Sequence, residues 1–202
     1  MRRQFDDALL LGQIGENAVA SMLSQRGFNM QRNCDGAVTP GHGPSLKTPA
    51  GDIPLPDFTI SARGVSIASE IKTKTDRTVG VITGETETGI DYQKWLDYKD
   101  YKRATGAAVF LFFVEYNKAL ITRLLQTPAI RSHFETTGMP THLEIPDAVY
   151  GQWQDRLKPS LNTPTECYGK QMIYFALRQF KGFPGCIDLL NSYIDSNAKS
   201  LV

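Results

Sequence analysis

The residues best suited to chemistry are Pro56-Asp57 and Glu70-Ile71-Lys72. Residues 57–61 and 65–72 both alternate polar and apolar side chains, and Ala62-Arg63-Gly64 lies between them. That is the pattern of two strands joined by a turn. Side chains two apart on a strand share a face, so Ser66, Ala68, Glu70 and Lys72 project together. Val65, Ile67 and Ile71 take the other side, toward a core. Asp57, at the start of the neighbouring strand, can reach the same place as Glu70. Two carboxylates brought together repel, and each favours its neutral form unless a cation sits between them. An all-oxygen pair with room for water suits Mg²⁺ or Mn²⁺. A lysine beside such a site can orient or deprotonate an attacking water, or neutralise a phosphate. The set suits metal-assisted hydrolysis of a phosphodiester.

Other elements must hold these residues in place. The spacing predicts a first helix over residues 5–26, closed by Gly27, with Ala8, Leu11, Ile14, Ala18 and Met22 as its buried stripe. A glycine inside a helix costs roughly 1 kcal/mol against alanine, so Gly12 and Gly15 on that face predict close packing on a sheet. Glu16 falls at the stripe's edge, in line with Val19 and Leu23, where a carboxylate needs a partner. Residues 33–56 are rich in Gly, Pro, Ser and Thr and predict a long loop, with Asp52 as a rival aspartate in a turn role. A short strand is expected at 79–82 and a helix at 91–105, ended by Gly106. Residues 107–114 are apolar at every position, as a central strand covered on both faces must be. A helix feeding such a strand implies a crossover and an α/β sheet. Beyond Glu115 strands are expected at 119–125 and 171–177, with 147–157 helical between them.

These residues resemble the PD-(D/E)xK nuclease superfamily. Asp57, with Pro56 before it, matches the motif's aspartate, and Glu70-Ile71-Lys72 matches ExK. Glu16 in Gly15-Glu16 matches the acid that many members carry on an N-terminal helix, and Gln93 matches their Gln on the helix after ExK. The likeness spans residues 8–115. It implies a restriction-endonuclease-like α-β-β-β-α-β core, with a central mixed sheet flanked by helices, over residues 1–116. Residues 117–202 would be a C-terminal α+β extension packed on the same domain. The opening Gly12-Gln13-Ile14-Gly15-Glu16, followed by Leu23 and Gly27-Phe28, is similar to that of archaeal-type Holliday-junction resolvases and related phage nucleases. Those are usually shorter and markedly basic.

The resemblance implies a deoxyribonuclease in which Asp57 and Glu70 hold Mg²⁺ or Mn²⁺, with the Ile71 carbonyl as a third ligand. Glu16 would serve a second metal or its water shell, Lys72 the attacking water, and Gln93 the same site. DNA would be the partner, and a homodimer would supply two sites for two strands. A restriction-type duplex endonuclease, an exonuclease and a non-catalytic nucleic-acid-binding protein on the same fold stay open as alternatives. In a bland reading, Glu70 and Lys72 form an exposed ion pair worth at most about 1 kcal/mol. Lys94, Lys99, Lys102 and Arg103 are a solvated helix face or phosphate contacts. Trp95, Tyr98 and Tyr101 are core residues or base-stacking platforms.

The whole chain narrows the field. It has 202 residues, 41% of them hydrophobic and 21% charged, which is ordinary for a folded domain. Twenty-two Lys+Arg against 21 Asp+Glu give no bulk signal for nucleic acid and leave a local basic patch open. Cys34, Cys167 and Cys186 are too few and too far apart for a disulfide framework, and with no signal-peptide pattern or membrane-length apolar run they predict a cytoplasmic protein. There is no GxxxxGK, HExxH, GxSxG or GxGxxG after a strand, so motor, zinc-protease, serine-hydrolase and dinucleotide chemistry lack their residues.

Overall fold

The computed structural model describes residues 2–33, 44–49, 51–75, 77–80, 82–137, 145–167 and 169–198. Cys34, His42 and much of the 33–56 segment lie outside the described residues.

Helix α1 (Arg2–Ser24) is followed by Gly27 in the left-handed region, φ +82°. Its buried side chains are Leu10, Ile14, Ala18, Val19 and Leu23. The stripe is thus rotated from the expected one: Ala8 is exposed, and Leu11 and Met22 are only partly covered. The line of contact runs through Gly15, whose backbone lies against Thr73.

Strand β1 (Asn29–Arg32) follows, then β2 (Ser45–Thr48) and β3 (Gly51–Pro54), which pair as a small antiparallel hairpin. The segment expected to be a plain loop therefore carries two strands. Asp52 lies in β3 and forms an ion pair with Lys47 across that hairpin. Strands β4 (Phe58–Ala62) and β5 (Val65–Lys74) turn tightly at Arg63 and Gly64, with φ of 51° and 79°. Positive φ at both central residues is the two-residue turn whose twist matches flanking strands. Arg63 is fixed by Asp195 Oδ1 at 2.6 Å and Asn191 Oδ1 at 3.0 Å.

Strands β6 (Thr78–Val79) and β7 (Thr86–Asp91) lead into α2 (Tyr92–Thr105). Asp91 caps α2 by accepting from the Gln93 N–H at 2.8 Å, and Gly106 closes it at φ 76°. Strand β8 (Phe110–Glu115) is buried at every position. Helices α3 (Lys118–Gln126) and α4 (Pro128–Thr137) come next. Residues 119–125 are thus helical rather than a strand, because Asn117 Oδ1 accepts from the N–H groups of Ala119 and Leu120, at 2.9 and 3.3 Å. Segment 147–157 is mainly strand β9 (Ala148–Trp153), drawn into the open side of β8, and only Gln154–Arg156 make a short 3₁₀ turn. Strands β10 (Thr165–Cys167), β11 (Lys170–Ala176) and β12 (Lys181–Gly182) and helix α5 (Phe183–Ala198) complete the chain.

The central sheet has the order β1-β4-β5-β8-β9-β12, and a second sheet runs β10-β11-β7-β6. Among the described strands, β5 and β8 alone pair in parallel, joined through α2. The fold is α/β, with a mixed central sheet flanked by helices, and α1, β1, β4, β5, α2 and β8 supply the α-β-β-β-α-β order. Of the short strand expected at 79–82, Val79 lies in β6, which belongs to the second sheet rather than to this core.

Apolar side chains on either side of the central sheet form two cores. Ile14, Leu23, Ile67, Phe112, Leu190 and Ile194 belong to one, and Ala68, Trp95, Leu111, Phe113 and Phe175 to the other. Strand β8 alternates between them, which is why its sequence is apolar throughout. Among the described residues, no helix is long and apolar enough to cross a membrane.

Candidate active site

The β4–β5 ladder ends at Phe58↔Ser69. One step further, Asp57 comes opposite Glu70, and its N–H donates to Glu70 Oε2 at 3.1 Å. Lys72 Nζ donates to the other oxygen of Glu70 and stands 3.7 Å from Asp57 Oδ2. Three side chains from two strands thus meet at the point where β4 stops pairing. The tight turn makes Ala62/Val65, Ile60/Ile67 and Phe58/Ser69 the hydrogen-bonded pairs of the hairpin. Continued, that alternation sets the Ile71 carbonyl opposite Pro56, which has no N–H to offer it.

Asn33 holds the corner. Its N–H donates to the Asp57 carbonyl at 2.9 Å, and its Nδ2 donates to the Pro56 carbonyl at 2.8 Å. Its Oδ1 accepts from Thr59 Oγ1 at 2.8 Å. Both ends of the Pro56-Asp57 step are therefore tied to β1.

Charge is concentrated here. The Glu70 side chain is 1% exposed, that of Lys72 31% and that of Asp57 41%. Burial alone would raise the Glu70 carboxyl; the Lys72 ammonium and hydrogen bonds from Asp57 and Lys72 overcome it and hold Glu70 ionised, well below its ordinary range. Lys72 would be lowered by burial, but Glu70 and Asp57 raise it, so it keeps its proton. Asp57 is pushed up to about 7 by burial and by the Glu70 charge, with Lys72 opposing. Lys74, next along the same face, donates to the Gly89 carbonyl at 2.6 Å, and burial followed by the Lys72 charge lowers it to about 8.

Glu16 projects from α1 and is met by Arg32 Nη2 at 2.7 Å. Burial raises its carboxyl, Arg32 and Lys72 lower it, and Glu70 raises it again, so Glu16 lies within the field of the cluster. Gln93 is not brought in by its side chain, which is exposed and donates along its own helix to Asp97 Oδ1 at 3.0 Å. The α2 residues facing the cluster are Lys94, whose charge helps hold Glu70 ionised, and Tyr98. The Tyr98 hydroxyl is buried beside Glu70, and burial, followed by the Glu70 charge and a hydrogen bond to it, pushes its pKa well up, so it keeps its proton.

Arg32 and Asn33 carried no signal in the sequence, since both reach the cluster through pairing between β1 and β4. Lys94 and Tyr98 carried a partial one: four apart, they share a helical face.

Among the described residues, no three His, Cys, Asp or Glu side chains converge as a metal cluster. The donor set is two carboxylates and a carbonyl, with Lys72 now supplying the positive charge between the carboxylates. That set fits Mg²⁺ or Mn²⁺, which take one or two carboxylates and keep several waters.

No family model matches the chain, and no curated protein matches it. Among solved structures it is similar to Archaeoglobus fulgidus Hjc, a Holliday junction resolvase from an archaeal hyperthermophile. The identity is 13% and the TM-score 0.41, over 82% of this chain and 88% of that one. The overlap is coarse, and no residue's role passes across it.

Proposed function

We propose that this chain is a divalent-metal-dependent nuclease that hydrolyses phosphodiester bonds in DNA. The observation that supports it best is the meeting of Asp57, Glu70 and Lys72 where β4 leaves the sheet. A carboxylate pushed up to about 7 beside a second, ionised one is a site short of positive charge, which a bound cation relieves.

Asp57 and Glu70 would hold Mg²⁺ or Mn²⁺, with the Ile71 carbonyl beside them and Glu16 serving a second ion or its water shell. The metal supplies Lewis acidity toward a phosphoryl oxygen and a more acidic bound water. Lys72 orients the attacking water and places an ammonium beside the charge that develops on phosphorus. Asn33 keeps the Asp57 backbone fixed, so the carboxylate needs little rearrangement before reaction. Lys94 adds positive potential along the path of an incoming phosphate. A cut in each of two strands calls for two such sites, and a branched DNA held by two copies of the chain would provide them.

The test is cleavage of supercoiled plasmid and of a synthetic four-way junction in Mg²⁺ or Mn²⁺, beside Lys72→Ala and an EDTA control. Metal-dependent cutting that disappears in the variant is the expected result, with the junction preferred over plain duplex. A folded protein that cuts plasmid, junction, single strands and free ends equally poorly in both forms would overturn the proposal.

A further inference from the structure

The second sheet carries a cleft of its own. On β7 and β11, Ile90, Ile173 and Phe175 face the core, so Glu87 and Tyr174, out of step with them, face the other way. Side chains from β6, from the residues after it and from the segment leading into β10 enclose about 230 Å³ on that outer side. The walls are apolar: Val79 and Ile82 on one flank, Leu161 on the other, and Tyr174, whose ring rests against Gly89. Val79 and Ile82 are 62% and 77% exposed, so the mouth of the cleft presents aliphatic surface to water.

Glu87 distinguishes this cleft from an ordinary apolar crevice. It is 5% exposed and lines the cleft, and its Oε1 accepts from the Thr83 hydroxyl at 2.9 Å. Its Oε2 lies at the wall beside Gly80, where a Cβ would stand 2.7 Å from it. A carboxylate covered to this degree is ordinarily met by a cation or by several donors. Here, among the described residues, it has one neutral hydroxyl, and no Lys, Arg or His lines the cleft. Arg178, at the same end of the sheet, is paired with Glu85. Glu166, exposed at the rim, adds a second negative charge.

We propose that this cleft binds a short aliphatic diamine, with one ammonium on Glu87 and the other at Glu166. The first ammonium brings the cation that Glu87 lacks, and its three donors suit a carboxylate oxygen with hydroxyls beside it. The methylenes between the two charges lie along Val79, Leu161 and Ile82, where they leave water for an apolar wall. The Tyr174 ring adds a face that attracts a cation. A divalent metal ion suits the cleft poorly, because such ions take six or more oxygen ligands and aliphatic walls supply none. Drug-sized ligands occupy sites of about 300–1,000 Å³, so the smaller volume here also favours a short chain. The cleft shares no residue with the Asp57, Glu70 and Lys72 cluster, and the inference holds independently of the nuclease reading.

Calorimetry at physiological salt with 1,4-diaminobutane, n-butylamine and butan-1-ol tests it on the full chain. The diamine should bind more tightly than the monoamine, and the alcohol should give no signal. Glu87→Gln should weaken diamine binding by about tenfold or more, and Glu166→Gln should bring the diamine down to the affinity of the monoamine. Asp188→Asn makes the same change of charge on an exposed position of α5 and should leave binding as it is. Leu161→Arg places a guanidinium within the cleft and should abolish diamine binding, and it decides the matter where Glu87→Gln fails to fold. A diamine that does not bind, or binds no better than butylamine, would overturn the proposal. So would an alcohol that binds as well as the amines, or an equal loss in Glu87→Gln and Asp188→Asn, which would mark attraction to bulk charge alone.

Discussion

Gly15 lies so close to β5 that a Cβ at this position would stand 2.1 Å from Thr73 Oγ1 and 3.2 Å from Thr73 Cβ and Cγ2. The two residues are neighbours of Glu16 and Lys72, so the contact sets how near α1 brings its carboxylate to the cluster. Gly15→Ala should destabilise by about 1–3 kcal/mol through overpacking, despite alanine's better helix propensity. Cleavage should fall as well. Thr73→Ala in the same chain should recover much of both losses, and a double-mutant cycle on thermal stability and rate measures it.

Removing Lys72 should cost stability as well as the proposed cleavage. Glu70 is buried, and its charge is held by the ammonium that touches it. Lys72→Met should destabilise the metal-free protein by about 3 kcal/mol, the low end for a broken buried pair because Lys72 itself is partly exposed. Mg²⁺ or Mn²⁺ should restore part of that loss, since a ligand that binds only the native state stabilises it. Urea unfolding in EDTA and in excess metal provides the comparison; equal stability in the two would count against a metal at Glu70.

The pH dependence of the metal-free protein should carry the mark of Asp57. Its carboxyl lies at about 7 in the native chain against 3.8 ordinarily, so in that window the native state binds more protons than the unfolded one. Stability therefore falls as pH rises through it. Glu70 acts in the opposite sense: its carboxyl is lowered from 4.5, and its contribution is lost only as pH drops below that value. Asp57→Asn should be more stable than wild type near neutral pH while losing cleavage, and the gap should close toward about pH 4. Thermal melts across that range in EDTA decide it.

Metal binding should depend on the same carboxylate. Calorimetry should detect millimolar-range Mg²⁺ or Mn²⁺ binding that vanishes in Asp57→Ala, with apparent affinity rising as pH approaches about 7 and levelling beyond it.

Asn33 offers a test of positioning. Asn33→Ala keeps its backbone bond to Asp57 but loses the side-chain bonds to Pro56 and Thr59. The expected cost is about 1–3 kcal/mol, with metal affinity reduced more than in a control such as Thr48→Ala. Unchanged metal affinity would show that the Pro56-Asp57 corner holds without this clamp.

What the sequence made legible follows from the range over which each signal acts. Alternation and a short turn were enough to put Asp57 near Glu70 and Lys72, but not to fix the register: Ala62, read as part of the turn, pairs with Val65, and the resulting two-residue turn sets Asp57 opposite Glu70. The unbroken apolar run of β8 announced a strand covered on both faces. The rotation of the α1 stripe was hidden, because a close approach at Gly15 decides it rather than the count of apolar residues. Asn33 and Arg32 were invisible for a similar reason: their partners lie 23 or 24 residues away in Pro56 and Asp57, and 16 residues away in Glu16. Gln93 matched a pattern one residue out of phase with Lys94 and Tyr98, a rotation of about 100° on a helix.

Strand β8 is bonded to β5 on one side and to β9 on the other. A chain ending after residue 116 would bare one edge of a six-residue strand that is apolar at five positions, Phe110 through Val114. Such an edge recruits other strands, including copies of itself. Strand β9 covers that edge, so the shortened chain should accumulate as insoluble material even though every residue of the cluster is still encoded in it.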